Sequence, residues 1–344
     1  MNRTTLRALA YLACFAMTIS VPISALADGD DANFDRSGCM VGESGGSCDD
    51  NKDDLTVYRQ YHPSIPGLVE GNWYIRKSSD EQLLMVQWGI AGDIPVPGQY
   101  TDNLYPDIAI WRPSNGFWWI RPTDDQQAFA QENPIGVQWG FPTDTPVPCD
   151  WNRNSKSDLG IFRPSTGTWY IRPSDDSNSF DGEPIIQSWG TSGDKLVPRD
   201  FDNDGQCDFT VFRNGVWYIL LSTKESQPAT LAFGSASDTP IGGEFDGDSY
   251  VDFGVVRNIG GALHWFFRES EAQGLTTFTK QWGVTGDIPI SLDYNGDGEH
   301  EIAIWRPSTG EWWMLLSTSY SSVVTLQWGL TGDVPIGQRG PTLP

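Results

Sequence analysis

Six imperfect copies of one unit of roughly 48 residues fill the chain from Asp54 to Gly337. The clearest copy, residues 293–337, opens with an acidic loop and continues with an apolar strand that ends at Arg306. A Pro-Ser-Thr-Gly turn, a strand that begins at Trp312 and a strand that ends at Trp328 follow, before a Gly-Asp-Val-Pro segment. A fixed period constrains the whole chain at once, so this repeat limits the fold more than composition does.

Four positions recur in all six copies and fix their register. An arginine ends the first strand: Arg59, Arg112, Arg163, Arg213, Arg257 and Arg306. A tryptophan opens the second strand: Trp73, Trp118, Trp169, Trp217, Trp265 and Trp312. An aromatic residue ends the third strand: Trp88, Trp139, Trp189, Phe233, Trp282 and Trp328. An aspartate follows: Asp93, Asp144, Asp194, Asp238, Asp287 and Asp333. Because the arginines serve every copy, we expect them to stabilise the fold by bonding backbone carbonyls or these aspartates.

Several short strands per unit, with no helical periodicity, predict an all-β chain folded as a β-propeller whose blades stack around an axis. The first copy lacks a Pro-containing opening strand, whereas residues 333–337 supply such a strand with no repeat after it. We therefore expect the C-terminal strand to complete the first blade and close the ring, which removes exposed sheet edges. This gives six blades, and a seventh built partly from residues 28–50 is the alternative.

The charge of the chain restricts its partners. Its formal net charge is −23, from 45 acidic and 22 basic residues. Such a charge repels phosphate backbones and anionic lipid, so no nucleic acid is expected as a partner. No stretch beyond the N-terminus is apolar enough to predict membrane insertion.

Residues 1–27 have the features of a signal peptide, because Arg3 and Arg7 precede an apolar stretch and a small-residue motif ends at Ala27. The prediction is an exported protein that is secreted, at the cell surface or periplasmic. Residues 28–53 form an acidic, Gly/Ser-rich leader, residues 54–337 the propeller of six repeats, and residues 338–344 a tail.

Four cysteines remain beyond the signal peptide, Cys39, Cys48, Cys149 and Cys207, and four cysteines allow three pairings. In an oxidising compartment we expect Cys39–Cys48 first, because this pair closes a short loop and would staple the leader. Cys149 and Cys207 lie in the acidic loops of consecutive repeats. Whether these two pair depends on a distance that the sequence does not give.

The most specific chemistry lies in a D-x-D-x-D-G-x-x-D loop formed by Asp200, Asp202, Asp204 and Asp208. Carboxylates at alternating positions of a tight loop can converge on one point, and Ca²⁺ takes six to eight oxygen ligands. Gly205 allows the turn that returns Asp208 to the others. Four carboxylates this close repel one another without a cation, so we expect Ca²⁺ here. Solvated acidic turns without a metal are the alternative.

The other copies keep this ligand set to different degrees. Asp293, Asn295, Asp297 and Glu301 form a second predicted calcium site. Glu244, Asp246, Asp248 and Asp252 form a third, with Ser249 in place of the glycine. Asp150, Asn152, Asn154 and Asp158 form the poorest set, beside Arg153 and Lys156. No ion is expected in the second copy, with Gln99, Thr101, Asn103 and Asp107, or in the first, with only Asp50 and Asp54.

The loop and the propeller-length repeat resemble the FG-GAP/VCBS repeats of integrin-α-like propellers. The Gln-Trp-Gly and Ile-Trp-Arg-Pro-Ser-Thr-Gly segments resemble a bacterial exported branch of that group, and the resemblance covers about residues 55–337. It implies Ca²⁺ in the loops between the innermost and second strands, and roles in binding or adhesion. Lectins also use this repeat, which makes a glycan a candidate ligand by analogy.

We therefore expect a calcium-stabilised module that binds or adheres to a glycan or protein partner. The polar turns 124–133 and 175–183 differ between copies, as a binding surface on a rigid scaffold would, although loop drift explains them equally well. None of the three histidines, His62, His264 and His300, has a metal-ligand spacing. The alternatives are a polysaccharide hydrolase or lyase, for which no catalytic pair can be selected, and a structural surface or matrix component.

Overall fold

The computed structural model describes residues 52–60, 70–78, 81–102, 106–123, 134–175, 177–222, 228–269, 277–317 and 320–337. These residues form six four-stranded antiparallel sheets and no helix, so none of them can cross a membrane as a helix. The predicted all-β propeller of six blades is confirmed. The following lie outside the described residues: the signal peptide, Cys39–Cys48, Asp50, His62, Asn103, turn 124–133 and the tail.

The 24 strands fall into blades in chain order, apart from the last. Blade 1 contains β1 (Leu55–Arg59), β2 (Glu70–Arg76), β3 (Leu83–Ile90) and β24 (Val334–Ile336). Blade 2 contains β4 (Ile94–Pro95), β5 (Ile108–Arg112), β6 (Phe117–Arg121) and β7 (Ile135–Gln138). Blade 3 contains β8 (Thr145–Pro146), β9 (Leu159–Arg163), β10 (Thr168–Arg172) and β11 (Ile185–Ser188).

The second half of the ring repeats this plan. Blade 4 contains β12 (Lys195–Leu196), β13 (Phe209–Arg213), β14 (Val216–Leu220) and β15 (Pro228–Ala232). Blade 5 contains β16 (Thr239–Gly243), β17 (Asp252–Ile259), β18 (Ala262–Arg268) and β19 (Thr277–Val284). Blade 6 contains β20 (Ile288–Leu292), β21 (Glu301–Arg306), β22 (Glu311–Leu315) and β23 (Val323–Gln327).

Each sheet runs from a buried first strand to a fourth strand in which exposed and half-buried residues alternate, as in β20 and β23. The first strand of each sheet therefore lies next to the axis and the fourth at the rim. Counted in this way within the blade, the strands that end at the recurring arginines are the second strands. In blade 1 the first strand is β24, which pairs with β1 through Thr56↔Ile336 and Tyr58↔Val334. The predicted closure of the ring by the C-terminal strand is confirmed.

The recurring arginine and aspartate form a two-pronged ion pair in every blade. In blade 2, Arg112 Nε and Nη2 each lie 2.8 Å from an oxygen of Asp93, and Asp93 Oδ2 also accepts a hydrogen bond from the N–H of Ile90 in blade 1. The guanidinium of such arginines also stacks on an aromatic ring of the adjacent strand. In blade 1, Arg59 Cζ lies 4.2 Å from the centre of the Tyr74 ring in β2. The arginines therefore bond the aspartates, one of the two expected partners, and each pair joins consecutive blades.

Candidate functional site: the acidic loops

The acidic loops connect the first and second strands of the blades, at the same end as the connections between the third and fourth strands. We number the loop from position 1, Asp200 in blade 4, to position 9, Asp208. Position 6 has a left-handed backbone, with φ of 85° at Gly205 and 70° at Ser249 in blade 5. Serine occupies this conformation at a strain cost that glycine avoids. The loop therefore turns in the same way with either residue.

The carboxylate at position 9 closes the loop in every blade where its contacts are described. Asp208 accepts one hydrogen bond from the N–H of Phe201 and one from the N–H of Ser222, both at 2.8 Å. Asp107 in blade 2 accepts the equivalent bonds from Tyr100 and Thr123. Position 9 thus has a structural role even where no ion was expected.

The partner of the carboxylate at position 9 was not predicted from the sequence. A serine or threonine just beyond the third strand donates its N–H to that carboxylate in five blades: Ser78, Thr123, Ser174, Ser222 and Ser317. Its recurrence at a fixed distance from the repeated tryptophan was the available signal. These bonds hold the start of the connection between the third and fourth strands against the acidic loop.

Two loops of the described chain bring three carboxylates together. Oxygens of Asp200, Asp202 and Asp208 lie within 4.8 Å of one another in blade 4, and those of Glu244, Asp246 and Asp248 do so in blade 5. No other group of three acidic, histidine or cysteine side chains meets that condition among the described residues. Hard cations such as Ca²⁺ bind clusters of this kind.

Two further members of the predicted sets have other contacts. Asp204 Oδ2 accepts a hydrogen bond of 2.7 Å from Ser222 Oγ and pairs with Arg153, which reaches over from blade 3. Asp252 Oδ2 accepts a hydrogen bond of 2.9 Å from the N–H of Phe245. Neither belongs to the three-carboxylate group of its own loop.

The loops of blades 6 and 3 place amide donors among their oxygens. In blade 6, Asn295 Nδ2 donates to Asp297 Oδ2 at 2.9 Å and to Glu301 Oε1 at 2.8 Å, while Asp293 accepts from two backbone N–H groups of the loop. In blade 3, Asn152 and Asn154 donate to the carbonyl of Ser174, Asp150 accepts three backbone N–H groups, and Asp158 closes the loop. These loops satisfy their carboxylates with protein donors.

Burial raises the pKa of the clustered carboxyls. Desolvation raises the pKa of Asp208 to about 8 and that of Asp200 to about 6, and neighbouring carboxylates add to both shifts. In blade 5 the same causes raise the pKa of Glu244 to about 7. Close carboxylates in a poorly solvated site favour either bound protons or a bound cation.

Covalent and polar contacts tie neighbouring loops together. A disulfide joins Cys149 of blade 3 to Cys207 of blade 4, with a Cα–Cα distance of 6.2 Å, which resolves the pairing that the sequence left open. The N–H at position 8 bonds the carbonyl at position 1 of the preceding blade, as in Cys207 to Asp150 at 2.8 Å and His300 to Glu244 at 2.6 Å. Such contacts link the loops of blades 2, 3 and 4 and those of blades 5 and 6 on one face, and we call these loops the belt.

No family model and no curated protein matches the chain. Among solved structures, it resembles an Agrocybe aegerita lectin that specifically recognises non-reducing terminal N-acetylglucosamine, with a TM-score of 0.53 and 11% identity, over 80% of this chain and 76% of that one. Virginiamycin B lyase from Staphylococcus aureus has a TM-score of 0.43 and 9% identity, over 82% and 86% of the two chains. The WD40 domain of Toxoplasma gondii coronin has a TM-score of 0.44 and 10% identity, over 96% and 74%. At 11% identity the likeness to the lectin shows the propeller fold alone.

Proposed function

We propose that this chain is an exported, calcium-stabilised β-propeller with FG-GAP/VCBS-type repeats that binds or adheres to a glycan or protein partner. Export is supported by the features of residues 1–27 and by the Cys149–Cys207 disulfide, because such bonds persist in oxidising compartments. A strongly acidic surface also favours neutral or cationic partners.

The observation that carries the calcium proposal is the pair of carboxylate clusters in blades 4 and 5. Glu244 is only 5% exposed, and its Oε2 accepts no hydrogen bond from any described residue, nor does Asp248 Oδ2. Buried carboxylate oxygens without donors cost free energy unless a cation or a proton compensates them. Ca²⁺ would be held by Asp200, Asp202 and Asp208 in blade 4, and by Glu244, Asp246 and Asp248 in blade 5. Blade 6 and blade 3 are weaker candidates.

The binding proposal concerns the face that carries these loops. The connections between third and fourth strands lie on this face, and the hydrogen bonds at position 9 hold them to the acidic loops. In the connection of blade 3, Asp175 accepts hydrogen bonds from the N–H groups of Ser177 and Ser179, while Asp181 is exposed. A cation that orders the acidic loops would therefore also position the variable connections. The lectin likeness makes a glycan the first ligand class to test.

Removal of calcium tests the metal proposal. A ligand that binds only the folded state adds about 2.7 kcal/mol per site at a hundredfold excess over Kd. We expect two sites to raise the melting temperature by roughly 10 °C or more, and Mg²⁺ to do less because it demands a tighter octahedron. The variants Asp202→Asn and Asp246→Asn should each remove one site by calorimetric titration, and Asp181→Asn is the exposed control. Absence of any calcium-dependent heat or melting shift would rule out the metal.

A glycan array probed with and without Ca²⁺ tests the binding proposal. We expect saturable binding to one glycan class that weakens when calcium is removed. Binding that persists unchanged without calcium would separate the ligand site from the metal loops. An array without binding, together with self-association of the protein, would instead support the structural matrix role.

A further inference from the structure

Neighbouring acidic loops meet through oppositely charged or covalently joined side chains in two parts of the belt. Between blades 2 and 3, Lys156 Nζ lies 2.5 Å from Asp102 Oδ1. Between blades 3 and 4, Arg153 pairs with Asp204 beside the Cys149–Cys207 disulfide. In each case a positive side chain from one loop meets a carboxylate of the adjacent loop.

The junction of blades 5 and 6 is different, because Glu299 of blade 6 faces a loop that is itself acidic. A Cβ added to Gly247 would lie 2.7 Å from Glu299 Oε1, so this carboxylate rests directly on the backbone between Asp246 and Asp248. Among the described residues, no lysine or arginine forms an ion pair with Glu299. The hydrogen bond from the N–H of His300 to the carbonyl of Glu244 fixes the two loops against each other.

The blade 5 cluster presents a second, independent sign of a ligand at this junction. Glu244 is more than nine-tenths buried, and its Oε2 has no hydrogen-bond partner in the described chain. Asp248 Oδ2 is also buried and has no hydrogen-bond partner among the described residues. Glu299 of blade 6 lies outside the three-carboxylate group and meets its loop at Gly247. The junctions between blades 2 and 3 and between blades 3 and 4 place a positive side chain at the corresponding interface.

We propose that the cation held by Glu244, Asp246 and Asp248 also takes Glu299 as a ligand, and so acts as a clasp between blades 5 and 6. This inference rests on the proposed calcium binding and adds the cross-blade ligand. Four carboxylates from two loops suit Ca²⁺, which accepts high and irregular coordination, better than Mg²⁺. The metal would replace at this junction what Lys156 and Arg153 supply at the two junctions of blade 3.

Calorimetric titration of the full protein with Ca²⁺ tests the clasp, with Glu299→Gln as the main variant and Asp181→Asn as the control for one lost charge. We expect Glu299→Gln to keep the number of sites and to weaken one of them at least tenfold. The control should leave every Kd within twofold of the wild-type value.

Melting temperatures supply a readout that a purely structural role of Glu299 would not give. Without calcium, Glu299→Gln should melt at or above the wild-type temperature, because it relieves repulsion among carboxylates. With saturating Mg²⁺ the two proteins should stay close, and with limiting Ca²⁺ the order should reverse. Wild-type calcium sites that all survive Glu299→Gln unchanged would overturn the clasp and leave calcium binding intact. No calcium binding by the wild-type protein would overturn both.

Discussion

At position 3 of the acidic loop, blade 2 carries Thr101 and blade 4 carries Asp202. Thr101 Oγ1 donates to Asp107 Oδ2 at 2.9 Å, so the buried position 9 carboxylate of blade 2 gains a protein donor. Asp202 can only accept when ionised, and its oxygens join those of Asp200 and Asp208. Position 9 therefore gains a side-chain donor from position 3 in blade 2, whereas in blade 4 we propose that a cation takes that place.

The two loops are also tied to blade 3 by different chemistry. Ser157 Oγ accepts a hydrogen bond from the N–H of Gln99, at a place where a Cβ on Gly98 would lie 2.6 Å from that oxygen. The equivalent pair at the next junction is Cys149 and Cys207, joined by the disulfide. A hydrogen bond suffices beside the loop of blade 2, which carries two carboxylates, and a covalent bond holds the loop of blade 4, which carries four.

The largest expected effect comes from the double variant Cys149→Gly with Cys207→Ser. It gives the junction of blades 3 and 4 the glycine and serine that blades 2 and 3 have at the equivalent positions. The disulfide closes a loop with a sequence separation of 58, for which chain entropy gives ~4 kcal/mol of stabilisation. We expect the calcium-free protein to melt roughly 10 °C lower. Calcium affinity should fall in blade 4 and stay unchanged in blade 5. Differential scanning calorimetry measures the first effect and titration the second, and equal losses in both blades would contradict a local role of the disulfide.

The second-largest expected effect is a difference between the loops of blades 2 and 4 in how pH changes the stability of the protein. Burial raises the folded pKa of Asp208 to about 8 and of Asp107 to about 7, against an unfolded value of about 3.9. Between about pH 4 and 8 the folded, calcium-free protein binds more protons than the unfolded chain, so its stability falls as pH rises. Bound calcium keeps Asp208 ionised, so it should reduce the contribution of blade 4 to the pH dependence of the free energy of unfolding. The part due to Asp107 should remain, as urea unfolding at several pH values would show.

Much of the fold was predictable from the sequence because it depends on repeated, local features. The six copies predicted the blades, and the surplus strand at Pro335 predicted the closure. The recurring arginines were expected to bond backbone carbonyls or the recurring aspartates, and they bond the aspartates. The arginine and the aspartate have the same identity in every blade, which fixes the register of the copies. Packing around the axis then follows from the repeat.

How well each acidic loop is suited to a cation could not be predicted in the same way. The motif ranks blade 6 above blade 5 because Gly298 occupies the turn position that Ser249 occupies in blade 5. In the structure, however, Asn295 supplies a donor where Asp246 supplies a third carboxylate. Contacts from neighbouring blades, such as Arg153 on Asp204 and Glu299 on Gly247, join residues far apart in sequence. A single-loop motif contains no information about them.

Exchanging position 3 between the loops tests their difference directly. Thr101→Asp places a second carboxylate beside buried Asp107 and removes its donor, which should cost about 1–3 kcal/mol near neutral pH. Asp202→Thr should abolish one calcium site and leave the calcium-free protein at least as stable as the wild type. Chemical denaturation with and without calcium checks both variants. A destabilised calcium-free Asp202→Thr would show that Asp202 supports the loop without a cation.

The smallest expected effect concerns Arg153, which neutralises Asp204 next to the blade 4 cluster. The arginine is about half exposed, and ion pairs of this kind contribute up to about 1 kcal/mol, or roughly a fivefold change in an equilibrium constant. Arg153→Gln frees the Asp204 carboxylate to join Asp200, Asp202 and Asp208, so calcium should bind blade 4 up to about fivefold more tightly.

The blade 5 site serves as the internal control for this variant, because Arg153 does not contact it. High salt should shrink the difference between variant and wild type, since an exposed ion pair is screened. Tighter binding in blade 4 alone would place Asp204 among the calcium ligands, as its sequence position predicts. Weaker binding in blade 4 would mean that Arg153 orders the loop for the cation and that Asp204 acts only through Ser222.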